Sequence, residues 1–387
     1  MPDTVEIGLG RSARRGYHLD DIALVPTRRT RGASMVSLNW QIDAHHFELP
    51  LMTAPSDALV SPATVPLIQE LGGLALLNGE GLWTRYDEPD AVLAGLRDEL
   101  QAATARSGGA LGHLQRVYSE PVKIDLLKWR IGELRGSGQL AAVRVSPQHA
   151  EALAPHAIAA GADVLVIQGT VTSAEQVRRT DAGDTRSGLN LKTFISDLDI
   201  PVIVGGCTNY QTALHLMRTG AAGVIIGYGA HSGSTTAQAL GIDVPMATAL
   251  VDAAAARRDY LDETGGRYVH LIGYGDMYTG GDIAKALACG ADAVMLGEPL
   301  AAAAEAPGNG LYWDPPASHP RMPRSAVVEV ADPEDRPSMR ELLIGATADS
   351  SGERSLFASV RRAMAKCGYS TVKEFQRAEL ILSHRTY

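Results

Sequence analysis

Short, unbroken apolar runs dominate the hydropathy pattern. Eight segments rich in Val, Ile, Leu and Ala, at 51–54, 73–77, 141–145, 163–167, 201–204, 223–226, 268–272 and 293–296, each end at or near Gly, Pro or a small polar residue. The runs are continuous rather than alternating, which predicts strands buried on both faces. Helix-like stretches lie between most of them, at 61–70, 148–160, 210–219, 246–264 and 281–288. The runs GADVLVI, GAAGVII and GADAVML place a Gly where one helix ends and the chain enters the next strand. Strands alternating with helices imply βαβ units and a parallel sheet. Eight such units predict an α/β fold, a single (β/α)8 TIM barrel rather than an open doubly wound sheet. One barrel domain is expected to span residues 1–387.

Two regions depart from the repeat. Residues 78–140 read as two helices joined by a polar loop. Residues 306–355 are rich in Pro, Asp, Glu, Arg and Ser and lack periodicity, which predicts a flap or disordered segment within the domain. After them, 356–367 reads as an amphipathic helix stopped by Gly368.

Composition narrows the class. With 45% apolar and 20% charged residues the chain is not disordered overall. A net charge of −9 with no dense basic stretch argues against a nucleic-acid partner. No apolar run approaches the roughly 18 residues of a membrane span, and residues 1–10 lack a signal peptide's apolar region. Three cysteines, Cys207, Cys289 and Cys367, show no CxxC spacing and suit a reducing cytoplasm. No metal site is expected.

In a barrel the chemistry sits in the loops after the strands. The sixth of these runs from Gly227 to Thr236. Its glycines allow close backbone approach to a ligand, and the hydroxyls of Ser232, Ser234, Thr235 and Thr236 can bind an oxyanion or simply cap turns. Cys207 reads as a small buried residue or a thiolate at a loop mouth. His231 reads as a solvated loop histidine or a base. Asp57 is placed either for a ligand hydroxyl or to cap the helix that follows.

Longer motifs on these strands resemble the IMP dehydrogenase and GMP reductase family over nearly the whole chain. His18-Leu19-Asp20-Asp21-Ile22-Ala23-Leu24-Val25-Pro26 is similar to that family's N-terminal (F/L)DDVLLVP segment. Gly280-Gly281-Asp282-Ile283-Ala284-Lys285-Ala286 resembles its SGDIAKA, and residues 290–297 its GADAVMLG. The regulatory domain that many IMP dehydrogenases insert after the second strand is missing. The chain looks most like a short group of bacterial paralogues. The resemblance implies a purine nucleotide as ligand, NAD or NADP as cofactor, and a homo-oligomer, usually a tetramer.

The same resemblance exposes departures at the site. In the working enzymes the sixth loop is GxGSxCTT, whose Cys attacks the purine. Laid on residues 229–236, the phosphate-binding Ser falls on Ser232 and the Cys on Ser234. An unassisted hydroxyl is a far weaker nucleophile than a thiolate. The ribose-binding Asp becomes Tyr274, a phosphate-binding Gly becomes Asp276, and the Ser or Thr after Gly297 becomes Glu298. Gln168 stands where the dehydrogenases carry an Asp near the nicotinamide, and the family's Gly-Met-Gly falls near Trp313-Asp314-Pro315-Pro316 without a match. The expected site therefore comprises Ser234 at the catalytic position and Asp57, Ser232, Thr235, Tyr274, Gly275, Asp276, Gly297 and Glu298 around the ligand. The expected function is a ligand-binding, regulatory or assembly paralogue, with a true IMP dehydrogenase as one partner. The alternative is an NAD(P)-dependent oxidoreductase with altered chemistry.

Overall fold

The computed structural model describes residues 4–104, 110–179, 185–332 and 334–383. Eight parallel strands form one sheet: β1 (Leu51–Thr53), β2 (Leu76–Asn78), β3 (Ala142–Val145), β4 (Val164–Gln168), β5 (Val202–Cys207), β6 (Gly223–Ala230), β7 (His270–Gly275) and β8 (Ala293–Leu296). Neighbours run in the order β1-β8-β7-β6-β5-β4-β3-β2. A parallel bridge between Met52 and Leu74, just ahead of β2, closes β1 on β2. The (β/α)8 barrel is therefore the fold.

Each strand is buried on two sides, as the unbroken apolar runs require. Val164 and Val166 of β4 point into the barrel with Ile203, Ile225, Ile272 and Met295, while Leu165 and Ile167 pack outward against the helices. A hairpin of Trp40–Ile42 and His45–Phe47 packs into the inner cluster through Trp40, Ile42 and Phe47.

Helix boundaries follow local chemistry. The helix Met246–Thr264 stops at Gly265, whose φ of 67° is the left-handed conformation that Gly adopts at least cost. The helix Gly280–Ala288 opens with a capping box, in which Thr279 Oγ1 accepts from the Asp282 amide and Asp282 accepts from the Thr279 amide.

Three details differ from the sequence reading. The second strand begins later than residue 73, since Leu74 contributes only the single closing bridge. The seventh begins at His270, because Tyr268 instead turns its hydroxyl to Asp292 at 2.5 Å. Among the described residues, the span 78–140 holds three α-helices, Pro89–Thr104, Ala110–Val117 and Ile124–Gly136, where the sequence reading had two. Pro121, which cannot donate to a helix, follows the second and separates it from the third.

Residues 311–330 form a strap across the barrel's mouth. It leaves β1's loop through the Gly308 amide on the Ala58 carbonyl (2.8 Å) and is stitched to the sixth loop. There the Ala326 amide donates to the Gly233 carbonyl (2.8 Å) and the Thr235 amide to the Arg324 carbonyl (2.9 Å). Leu311, Tyr312 and Trp313, at its start, are buried.

Candidate functional site: a closed cradle beside an open cavity

Loops after β6, β7 and β8 converge on Gly229, Gly275 and Gly297 around a void of about 20 Å³, room for about one water. Side chains of the chain itself close it in. Glu298 accepts hydrogen bonds from the Ser232 amide (2.8 Å) and the Ser232 hydroxyl (2.6 Å), and from the Tyr278 hydroxyl. The ring of Tyr274 lies over Gly229, where a Cβ would come within 2.4 Å of it. Gly229 is therefore required at that position. The Tyr312 hydroxyl lies beside Tyr274 and sits over Gly297, where a Cβ would meet it. Burial first, then the nearby Asp314 carboxylate, pushes the Tyr274 phenol well above its ordinary range, so it stays protonated.

Asp276 also lines this void, with φ of 53°. Its carboxylate lies 3.9 Å from His18 Nδ1, and burial raises its pKa. Thr235 is exposed and precedes the short helix Thr236–Leu240.

The family's nucleophile position is not activated. Ser234 lines neither this void nor the larger cavity described below, and its amide donates to the His231 carbonyl at 2.9 Å. The His231 ring is turned to other partners. Nδ1 accepts from the Gly233 amide (3.1 Å), while Nε2 faces Ser325 Oγ (2.9 Å) and Asp314 Oδ2 (3.3 Å). That pattern gives Nδ1 a donor and Nε2 two polar oxygens as neighbours. Burial disfavours the charged form, yet Asp314 and then Glu298 outweigh it and raise the pKa. The side chain is 6% exposed, so His231 is not the solvated loop residue of the sequence reading; the strap covers it.

Asp57 is turned inward. It is buried, its Oδ2 accepts from the Leu82 amide (3.1 Å) and the Tyr118 hydroxyl (2.5 Å), and it caps no helix immediately after it. Tyr118 in turn accepts from Trp313 Nε1 at 3.0 Å. Desolvation pushes Asp57 up to about 6 against these hydrogen bonds. This relay fastens the strap to the β1 loop, and the Ser56 hydroxyl adds a bond to the Trp313 carbonyl.

Cys207 is buried, and desolvation lifts its thiol to about 12, which makes it inert as a nucleophile. Cys289 and Cys367 are buried thiols too.

The open space lies on the other side of Tyr274. A cavity of about 730 Å³ covers the C-terminal ends of β2, β3 and β4, roofed by the strap. Its wall includes Glu80, Arg85, Tyr118, Arg144, Gln168 and Arg324. Burial would raise Glu80, but His149, Arg144 and the Ser146 amide outweigh it and hold it at about 2. Among these only Gln168 stood out in the sequence, through its place at the end of the fourth strand. Asp314 was noted only as part of the unmatched Trp313-Asp314-Pro315-Pro316 run, and Tyr118, Tyr312 and Arg324 carried no signal, since they lie in the segments without repeat. Among the described residues no cluster of His, Cys, Asp or Glu could hold a metal ion, and no helix is long and apolar enough to cross a membrane.

Fold and loops together define a (β/α)8 barrel whose sixth to eighth loops converge on a small void that the chain's own side chains fill. Residues 16–317 match the family model described as IMP dehydrogenase / GMP reductase domain. The chain belongs to the IMP dehydrogenase / GMP reductase family. It is 53% identical over 377 residues to a protein of Mycolicibacterium smegmatis named an uncharacterized oxidoreductase, covering 97% of this chain and 99% of that one. Its likeness to the inosine-5'-monophosphate dehydrogenase of Aquifex aeolicus is 32% over 199 residues, 51% of this chain and 36% of that one. The crystal structure of an IMP dehydrogenase/GMP reductase-like protein from Corynebacterium glutamicum superimposes with a TM-score of 0.91 at 48% identity, covering 98% of each chain. The chain is thus similar to short paralogues of the family along its full described fold.

Proposed function

We propose that this protein is a ligand-binding paralogue that has given up the purine-nucleotide reaction of its family and serves regulation or assembly in purine nucleotide metabolism. One observation carries the reading: the Glu298 carboxylate occupies the donors of Ser232 that the family resemblance assigns to a nucleotide's phosphate. An incoming phosphate would meet a fixed negative charge. At 4 Å and an effective dielectric of 20, two unit charges repel by about 4 kcal/mol, roughly a thousandfold in affinity.

Members of the family are in general linked to NAD or NADP. A nicotinamide ring, when bound, supplies or accepts hydride at a substrate carbon in contact with it. Here the residues do not fit that pairing, since the buried ring of Tyr274 stands between the open cavity and the closed cradle and lines both. Room remains for one ligand rather than two. Ser234, without a base on its hydroxyl, supports the same reading.

The second reading is an oxidoreductase acting on another ligand, and the mycobacterial relatives' printed name speaks for it. Absorbance at 340 nm with IMP and NAD, and with GMP and NADPH, separates the two. The proposal expects background rates, and calorimetry is expected to find IMP bound no tighter than inosine. Turnover, or tighter binding of IMP, overturns it. A cytoplasmic location, a homo-oligomer and a true IMP dehydrogenase as partner belong to the same proposal; co-elution of the two purified proteins tests the last.

A further inference from the structure

Hydrogen-bonding capacity is left unmet in the wall of the larger cavity. Eight buried side-chain polar atoms lack a partner among the described residues, and four of them belong to residues lining this one space: Arg144 Nε, Gln168 Oε1, Asp314 Oδ1 and Arg324 Nε. Buried polar atoms are nearly always paired in folded proteins, so a cluster of exceptions needs a cause.

These side chains are not loose. Arg144 donates through Nη2 to the Gln168 carbonyl (2.7 Å), and Arg324 through Nη2 to Thr170 Oγ1 (3.1 Å). The two guanidinium groups therefore clasp the Gln168-Gly169-Thr170 turn at the end of β4. The Gln168 amide nitrogen contacts Met295 Sδ at 3.6 Å, and Asp314 keeps its other oxygen on His231. Arg144, Gln168 and Asp314 are all more than nine-tenths buried. Each is held at one end and unmatched at the other. All four unmatched atoms are buried and belong to residues that line the one cavity.

Their chemistry specifies a complement. Two guanidinium N–H groups call for acceptor oxygens, best on an anion. Gln168 Oε1 and Asp314 Oδ1 call for N–H or O–H donors. The wall carries Arg85, Arg144 and Arg324 against Glu80 and Asp314, so 3 − 2 leaves one net positive charge before any histidine is counted. A dinucleotide's pyrophosphate brings two negative charges. Arg144 Nη1 already lies 3.7 Å from Glu80, and Arg85 is spent on the carbonyls of Glu80 and Glu120.

We propose that this cavity is a binding site for one small organic monoanion, a carboxylate whose ring or chain also presents an amide-like N–H edge. The carboxylate is met by Arg324 and Arg144, and the N–H edge by Gln168 and Asp314. The site rests on the reading above, in which Tyr274 and Glu298 close the nucleotide's place and leave a single compartment.

Calorimetry on the full chain at pH 7 tests it with four probes. Orotate carries a carboxylate and ring N–H groups, uracil the N–H edge alone, benzoate the carboxylate alone, and NAD the dinucleotide. The expected result is one orotate per chain, bound at least tenfold tighter than uracil, benzoate or NAD. Gln168→Leu, close in volume, is expected to weaken orotate at least tenfold without lowering Tm, because it removes an unmatched acceptor. Arg324→Met is expected to weaken orotate and leave uracil unchanged. No orotate binding, equal binding of benzoate, tighter NAD, or a Gln168→Leu protein that loses stability but not orotate would each overturn the site. An IMP arm keeps the two readings apart: IMP tighter than inosine defeats the closed cradle, whereas silent IMP with silent orotate defeats only this inference.

Discussion

Ser232 and Glu298, 66 residues apart in the chain, meet through two hydrogen bonds from one serine to one carboxylate, from the amide at 2.8 Å and the hydroxyl at 2.6 Å. The carboxylate takes the same donors a phosphate would take, with the same sign of charge. Removing it should expose them. Glu298→Ser is expected to raise the affinity for inorganic phosphate at least tenfold, measured by calorimetry. Phosphate is the cleaner probe, since Tyr274 still obstructs a ribose. An unchanged affinity would show that the donors are not a latent anion site.

Restoring the nucleophile alone should not restore chemistry. Ser234→Cys is expected to stay at background in the 340 nm assay with IMP and NAD, because the ring of Tyr274, packed over Gly229, still fills the position that the family resemblance gives to the ribose-binding Asp. Removal of a nucleophile from a working enzyme can cost on the order of a millionfold in rate. Measurable turnover from this single change would mean that the ring moves aside.

Asp57 sets a pH dependence of stability. Its carboxyl rises from an ordinary 3.8 to about 6, chiefly by burial. The folded state thus holds the proton more tightly than the unfolded chain. The stability this contributes is full below pH 3.8 and is lost as pH rises through 6, on the order of 3 kcal/mol in total. Urea titrations from pH 4 to 7 should show Asp57→Asn lacking that decline relative to the unaltered protein. Parallel curves would refute it. Glu80 acts in the opposite sense: held at about 2, it contributes stability that is lost as pH falls from about 4.5.

The relay from Asp57 through Tyr118 to Trp313 fixes the strap. Tyr118→Phe strands the Trp313 Nε1 donor and takes one donor from Asp57. Each stranded buried group costs about 1–3 kcal/mol, so a loss of roughly 2–4 kcal/mol is expected in denaturant titration. Amide exchange should quicken in residues 311–326. A loss below about 0.5 kcal/mol would show that the strap is held elsewhere.

The barrel was legible because its signal is repetitive. All eight apolar runs became strands of the one sheet, and the helices at 246–264 and 281–288 fell within a residue of their predicted bounds. The site was legible only as a set of departures. Sequence position put Ser232 and Glu298 near one cradle but could not show that one would occupy the other. Asp57 was read either toward a ligand hydroxyl or as a cap for the next helix, and its carboxylate is held by the Leu82 amide and the Tyr118 hydroxyl, two partners far from it in the chain. Tyr312, Asp314 and Arg324 lie in a strap whose path is set by packing across the barrel mouth, which leaves no period in the chain. His231 changed from solvated to buried for the same reason, since its cover comes from residues 312–325.

The presence of two obstructions, Tyr274 and Glu298, has a consequence for reopening the cradle. Tyr274→Asp, the residue the family resemblance implies there, removes one of the paired rings and adds a carboxylate beside Asp314. Replacing Glu298 frees Ser232 while both rings still fill the void. On the proposed reading the two obstructions are independent locks: each single replacement leaves the other standing, so the cradle opens only when positions 274 and 298 change together.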